Sequence, residues 1–78
     1  MSNLTLGQKR VGLTFNPSGD ERVTKIKQLA AEAIDLLESL RGDVNSQGKS
    51  KEGQRAISEA QTQFEQASMW GVKSVFVE

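Results

Sequence analysis

Apolar positions recur along the chain in two series with helical spacing, separated by a polar segment. In each series the intervals alternate between three and four residues, which is the spacing of packed helix pairs. The first series is Val23, Ile26, Ala30, Ala33, Leu37 and Leu40, and the second is Ile57, Ala60, Phe64, Ala67, Gly71 and Ser74. The pattern predicts an all-α fold in which two antiparallel helices form a hairpin.

Local signals indicate where the first helix starts and stops. Ser18 and Glu21 have the spacing of a capping box, in which the Ser hydroxyl accepts the N–H of a Glu three residues later. Pro17 holds the preceding residue out of helical geometry. Arg41 followed by Gly42 is typical of a helix end. We therefore expect helix one over about residues 19–41.

The remaining segments complete a single domain over residues 1–78. Residues 1–17 show no helical periodicity, so we expect a short N-terminal arm without regular helix. Residues 42–50 are polar and Gly-rich and predict a loop. The second helix is expected over about residues 51–76.

Length and composition favour an oligomer. A chain of 78 residues buries a smaller share of its surface than an average domain, and this one has no Cys with which to form a disulfide. Both predicted helices also carry more apolar surface than one partner helix covers. We expect a homo-oligomer whose interface residues include Leu37, Phe64, Met69, Trp70 and Phe76.

Composition also narrows the function classes. The absence of Cys and His removes the usual nucleophile–base pairs and the commonest metal ligands, so we expect no enzyme, metal site or cofactor. Ten basic and ten acidic residues give zero net charge, which argues against DNA binding. No apolar run is long enough to cross a membrane, and no export signal is visible. We expect an intracellular protein.

The stretch FNPSGDE at residues 15–21 has two interpretations. In the first it is an ordinary capped helix start, with Phe15 packing against the helix. In the second, the helix N-terminus and Gly19 offer a phosphate seat and Phe15 offers a face for a nucleobase. The surroundings are locally basic, because Lys9, Arg10, Arg22, Lys25 and Lys27 outnumber Asp20 and Glu21.

Two longer stretches carry a family resemblance. TFNPSGDERVTKIKQLAAEAIDLLE and RAISEAQTQFEQASMWGVKS are similar to the helical-hairpin domain of phage-encoded cyclic-nucleotide sponges, the anti-CBASS and anti-Thoeris proteins. The shared pieces are FNPSGD, the following V..IK, A..ID and A.MW.VK, in this order over roughly residues 13–74. The resemblance implies a homohexamer built as a trimer of dimers. It also implies sequestration, without cleavage, of cyclic dinucleotides such as cyclic GMP-AMP and, in some members, of cyclic trinucleotides.

Site residues follow from the resemblance. It implies a dinucleotide site where the arm and the start of helix one meet a neighbouring protomer, in the cytoplasm of an infected bacterium. Phe15 would lie against a base, where some relatives are expected to carry Tyr, a residue that this chain lacks. The other implied ligand contacts are Arg10, Asn16, Ser18, Gly19, Lys25 and Lys27, with Arg55 for a trinucleotide. An alternative function is a structural helical module that binds a protein partner through its apolar faces.

Overall fold

The computed structural model describes residues 3–42 and 50–77, and all regular structure within them is helical. Helix α1 spans Leu6–Val11, α2 spans Glu21–Ser39 and α3 spans Lys51–Phe76. The predicted all-α fold is confirmed. No helix in the described part of the chain is both long and apolar enough to span a membrane. Of the loop predicted at residues 42–50, residues 43–49 lie outside the described residues.

Helices α2 and α3 pack antiparallel. Near the start of α2, Ile26 lies against Gly71 near the end of α3, where an added Cβ would come within 3.0 Å of the Ile26 side chain. In the middle, Gln61 of α3 donates to the carbonyl oxygen of Ile34 over 3.1 Å. Gly71 therefore leaves room for the Ile26 side chain at this end of the hairpin.

The prediction of an arm without helix is wrong, because residues 6–11 form α1. Thr5 and Gln8 make a capping box: the Thr5 hydroxyl accepts from the Gln8 N–H, and the Gln8 side chain accepts from the Thr5 N–H. Gly12 ends the helix in the left-handed conformation, with φ 65°. The missed signal is this Thr-x-x-Gln pattern, which precedes too short a segment to show periodicity.

Helix α1 packs closely against α2. A Cβ added to Gly7 would lie 2.2 Å from the carbonyl oxygen of Ala31, so only glycine permits this approach. The Gly7 N–H donates to Asp35 over 2.7 Å, which holds the two backbones in register. The apolar cluster beneath consists of Val11, Ala30, Ala31 and Ile34, with Leu13 packed against it.

Both predicted ends of helix one need correction. The N-cap is Asp20, whose carboxylate accepts from the Arg22 N–H, and the helix begins at Glu21. Ser18 caps nothing in α2; its hydroxyl donates to Asn16 instead. At the other end α2 stops at Ser39, before Arg41 and Gly42.

The buried face of α3 also differs from the predicted one. Ile57, Gln61 and Ser68 are buried, whereas Phe64, Ala67 and Ser74 of the predicted inner series are exposed. The Gln61 amide is only 2% exposed because it bonds to Ile34 and to Glu38. A satisfied polar side chain has therefore taken an inward position that the apolar pattern assigned to its neighbours.

A corresponding shift occurs in α2. Val23 and Ala30 of the predicted series are buried, but its other members are only half-buried. The remaining buried residues of α2 are Lys27, Ala31 and Ile34. The difference arises because α1 covers a second face of α2, which the two-helix prediction left without a neighbour.

Polar side chains join the end of α2 to the start of α3. Arg41 pairs with Glu38 at 2.9 Å and donates to Gln54, Ser58 and Gln61. The pKa of Glu38 lies below its ordinary value because Gln61 and then Arg41 donate to its carboxylate. Arg41 therefore links the helices instead of simply ending α2.

Candidate functional site

The candidate site is built on the linking turn, which we define as residues 12–20 between α1 and α2. Its first part is closed by backbone bonds: Leu13 N–H donates to the Gln8 carbonyl, and Phe15 N–H donates to the Gly12 carbonyl. Its second part is closed by the bond from Gly19 N–H to the Asn16 carbonyl. Gly19 has φ 70°, which favours glycine there. The turn therefore has a defined conformation.

Asn16 ties this turn to the first turn of α2. Its side-chain amide donates to the Asp20 carbonyl and to the Thr24 hydroxyl, each over 3.0 Å. Its carbonyl oxygen accepts from the Ser18 hydroxyl over 2.7 Å, and Ser18 in turn accepts from the Asp20 N–H. Asn16 and Ser18 thus use these polar atoms to shape the turn.

Lys27 reaches the same turn from inside the fold. It is only 9% exposed, and its ammonium donates to the carbonyl oxygens of Gly12 at 3.0 Å and Phe15 at 2.5 Å. The predicted phosphate contact is therefore a largely buried cation that closes the turn.

Phe15 projects outward from this support. Its side chain is among the large apolar groups that the fold leaves exposed, with 73% of the residue accessible. The Lys27 ammonium lies 5.7 Å from the ring centroid, within the range of a cation–π contact. The result is an exposed aromatic platform beside a cation, on which a planar base can stack.

Lys25 and Arg22 are the exposed cations in the first turns of α2. Arg22 pairs with Asp20 at 2.8 Å, and this hydrogen bond is the main reason that the pKa of Asp20 lies below its ordinary value. The cap of α2 is thus a carboxylate that partly neutralises Arg22. Lys25 makes no ion pair with any of the described residues.

The chain matches the family described as Acb2/Tad1, hairpin domain, over residues 7–76. It belongs to this family. The match confirms the membership that the sequence resemblance indicated, in the anti-CBASS and anti-Thoeris sponges. It also includes α1 from its second residue, a segment that the resemblance did not cover. No curated protein and no solved structure gives a match.

Two predicted ligand contacts of this sponge-family chain lie apart from the Phe15 platform. Arg10 points toward α3, where it pairs with Glu65 at 2.7 Å. Arg55 lies near the start of α3, at the opposite end of the hairpin, and pairs with Glu52 at 3.2 Å. The structure thus brings together Phe15, Asn16, Ser18, Gly19 and Lys27. Lys25 is exposed on α2 without a hydrogen bond or ion pair to this turn, and Arg10 and Arg55 lie elsewhere.

The hairpin has an open apolar face on the α2–α3 groove. We define the open face as the groove lined by Ile26, Leu29, Ala30, Phe64, Ala67 and Ser68. Leu29 is 59% exposed there. Of the predicted interface residues, Met69, Trp70 and Phe76 are also exposed, whereas Leu37 is half-buried. This hairpin therefore presents substantial uncovered apolar surface.

Sequence reasoning missed three residues that shape the site. Thr24 accepts from Asn16, while Gly12 supplies one of the two carbonyl oxygens that hold Lys27. Gly7 allows α1 to dock, and α1 sets the start of the linking turn. Only the glycines carried a visible signal, because a Gly flanking a short apolar stretch indicates a tight turn or a close approach.

Proposed function

We propose that the chain binds and sequesters cyclic oligonucleotide second messengers. The proposed ligands are cyclic dinucleotides such as cyclic GMP-AMP, with cyclic trinucleotides as a second class. The observation that carries the proposal is the exposed Phe15 ring on a turn fixed from within, in a chain of the sponge family. An exposed aromatic ring beside a cation is the kind of surface on which a nucleobase can stack.

The proposed ligand contacts are of three kinds: stacking on an aromatic ring, attraction between a cation and a phosphate, and close approach to the backbone. A base stacks on Phe15, and Lys25 approaches the phosphate as an exposed cation. Gly19 has no side chain and open space around it, so the ligand backbone can come close. Asn16 and Ser18 contribute mainly by holding the turn, since their polar atoms already bond to it.

The proposed mechanism is retention, and we expect the ligand to be released intact. Its inhibitory effect would follow from mass action, because a bound messenger is withdrawn from the host effector. We place this activity in the bacterial cytoplasm during phage infection, where such messengers are made.

A second copy of the chain is the occupant that we propose for the open face. Phe64 and Leu29 are both exposed beside the small residues of that groove, a combination that suits close packing of a second helix pair. Burying an apolar surface of this kind against a second copy would stabilise a 78-residue chain, because removing apolar area from water is favourable. The family resemblance implies six subunits, and we expect a homohexamer.

Variants of the platform test the site. Phe15→Ala should weaken binding of cyclic GMP-AMP by about 5- to 150-fold, since stacking on an aromatic contributes ~1–3 kcal/mol per base. Phe15→Tyr should retain binding, because the ring face is kept. Lys25→Glu should weaken it, whereas Lys51→Glu, an equivalent charge reversal on an exposed Lys of α3, should not. Normal affinity in both Phe15→Ala and Lys25→Glu would remove this site assignment.

A second candidate function is supported by one observation. Trp70 is 67% exposed and has Lys73 4.9 Å from its ring, which would suit an acidic and apolar protein partner. A chain that stays monomeric at all concentrations and ignores cyclic nucleotides would favour this module over the sponge.

A further inference from the structure

We propose that Lys27 is a positioning residue for the Phe15 platform and does not contact the phosphate. The inference rests on the proposed function, because the platform matters only if a ligand stacks on it. The sequence predicts that Lys27, like Lys25, contacts the ligand. The proposal gives Lys27 a structural role instead.

The hydrogen bonds of Lys27 carry the first step. An ammonium group has three donors. Two are used by the Gly12 and Phe15 carbonyl oxygens, and the Phe15 ring lies 5.7 Å from the nitrogen. One donor remains, but Lys27 is only 9% exposed, so a phosphate oxygen has little access to it while the turn keeps this conformation.

Burial supports the same conclusion. A largely buried ammonium is costly unless polar partners compensate it. No carboxylate among the described residues forms an ion pair with Lys27, so the two carbonyl oxygens are its compensation. The turn conformation and the placement of Lys27 therefore depend on each other.

The consequence for Phe15 is a restrained backbone from which the ring projects. Its N–H donates to the Gly12 carbonyl, and its own carbonyl accepts from Lys27, so both sides of its peptide backbone are held. Without the ammonium, the turn would lose the bonds that join it to α2 at this point. The ligand would then have to order the platform on binding, at a cost in affinity.

A double-mutant cycle between Lys27 and Phe15 tests the role. Lys27→Met keeps the apolar stem and should weaken binding of cyclic GMP-AMP by about 3- to 10-fold, the range expected when one side chain must be ordered on binding. In a Phe15→Ala background the same change should alter affinity by less than about twofold, because no platform is left to position. Phe15→Leu replaces Phe15→Ala if the latter binds too weakly to measure.

Lys25→Met is the matched control, since it removes the other proposed cation of the same helix. Its effect should persist in the Phe15→Ala background and should reduce the salt dependence of binding. Lys27→Met should leave the salt dependence unchanged. If Lys27→Met does not fold, Lys27→Gln, whose amide can donate to one carbonyl, takes its place.

A measurement without ligand separates this inference from the proposed function. Lys27→Met should speed hydrogen exchange at the Phe15 amide by at least tenfold relative to the middle of α3. Unchanged hydrogen exchange at the Phe15 amide would overturn the positioning role of Lys27 even if the ligand binds. An additive cycle with lower salt dependence would overturn it as well, by showing a direct phosphate contact. Absence of binding by the unsubstituted protein would end the proposed function itself.

Discussion

Replacing Gly7 with alanine should undock α1 and lower the stability of the whole chain. The added Cβ would stand 2.2 Å from the Ala31 carbonyl oxygen, whereas ordinary contacts begin at 3.4 Å. Helix α1 would have to move away from α2 by about 1 Å. Adding a methyl group to a well-packed core typically lowers the free energy of unfolding by ~1–3 kcal/mol. The retreat would also stretch the 2.7 Å bond from the Gly7 N–H to Asp35.

An opposing term exists but is smaller. Alanine favours helix over glycine by up to ~1 kcal/mol in a helix interior, and less in the first turn, where residue 7 lies. The net loss should be about 1–2 kcal/mol. For a chain of this size, that lowers the melting temperature by about 5–15 °C.

The assay is thermal unfolding followed by circular dichroism, with hydrogen exchange of α1. Both proteins must be compared at one concentration, because assembly would make the melting temperature depend on it. Gly42→Ala is the control, since nothing lies within 4 Å of a Cβ there. An unchanged melting temperature in Gly7→Ala, with the α1 amides still protected, would refute this account of how α1 docks.

Three further predictions concern the core, the α2 cap and the open face. Gln61→Ala should lower the free energy of unfolding in urea by ~1–3 kcal/mol, because the Ile34 carbonyl loses its buried donor; a loss below 0.5 kcal/mol would contradict this. Asp20 has a depressed pKa in the folded state, so its carboxylate stabilises the fold above the ordinary Asp pKa, and this contribution disappears as pH falls through the lowered value. The stability difference between the unsubstituted protein and Asp20→Asn in urea should therefore shrink on acidification, and a constant difference would argue against it. Phe64→Lys should dissociate the assembly in sedimentation experiments without unfolding the hairpin, whereas an unchanged mass would show that the open face is not the interface.

The hairpin could be predicted from the sequence because two long apolar series leave little choice of structure. Helix α1 could not, since six residues contain too few repeats to show a period. Its real signals are a cap and two glycines. Gly7 in particular has meaning only once Ala31 is known to lie opposite.

The rotation of α3 shows a different limit. Pattern analysis places apolar side chains inward, so the predicted inner series includes Phe64 and omits Gln61. The structure reverses them because Gln61 finds the Ile34 carbonyl and the Glu38 carboxylate across the helix pair. Such matching depends on the facing helix and has no signature in the local sequence.

For the candidate site, the sequence singles out the stretch around Phe15 but does not show which of its side chains are already bonded within the fold. From the sequence, a Lys within two turns of a helix start is a reasonable candidate for a phosphate contact. In the structure, the linking turn covers Lys27. Burial of Lys27 follows from the carbonyl oxygens of Gly12 and Phe15, which become available only when α1 ends and the chain reverses.

Titration calorimetry of the purified protein with cyclic GMP-AMP, followed by chromatography of the ligand recovered after denaturation, tests the central claim most directly. The account predicts saturable, tight binding and recovery of intact ligand. Absence of heat with cyclic GMP-AMP and with a cyclic trinucleotide, or recovery of cleaved ligand, would contradict sequestration by this chain.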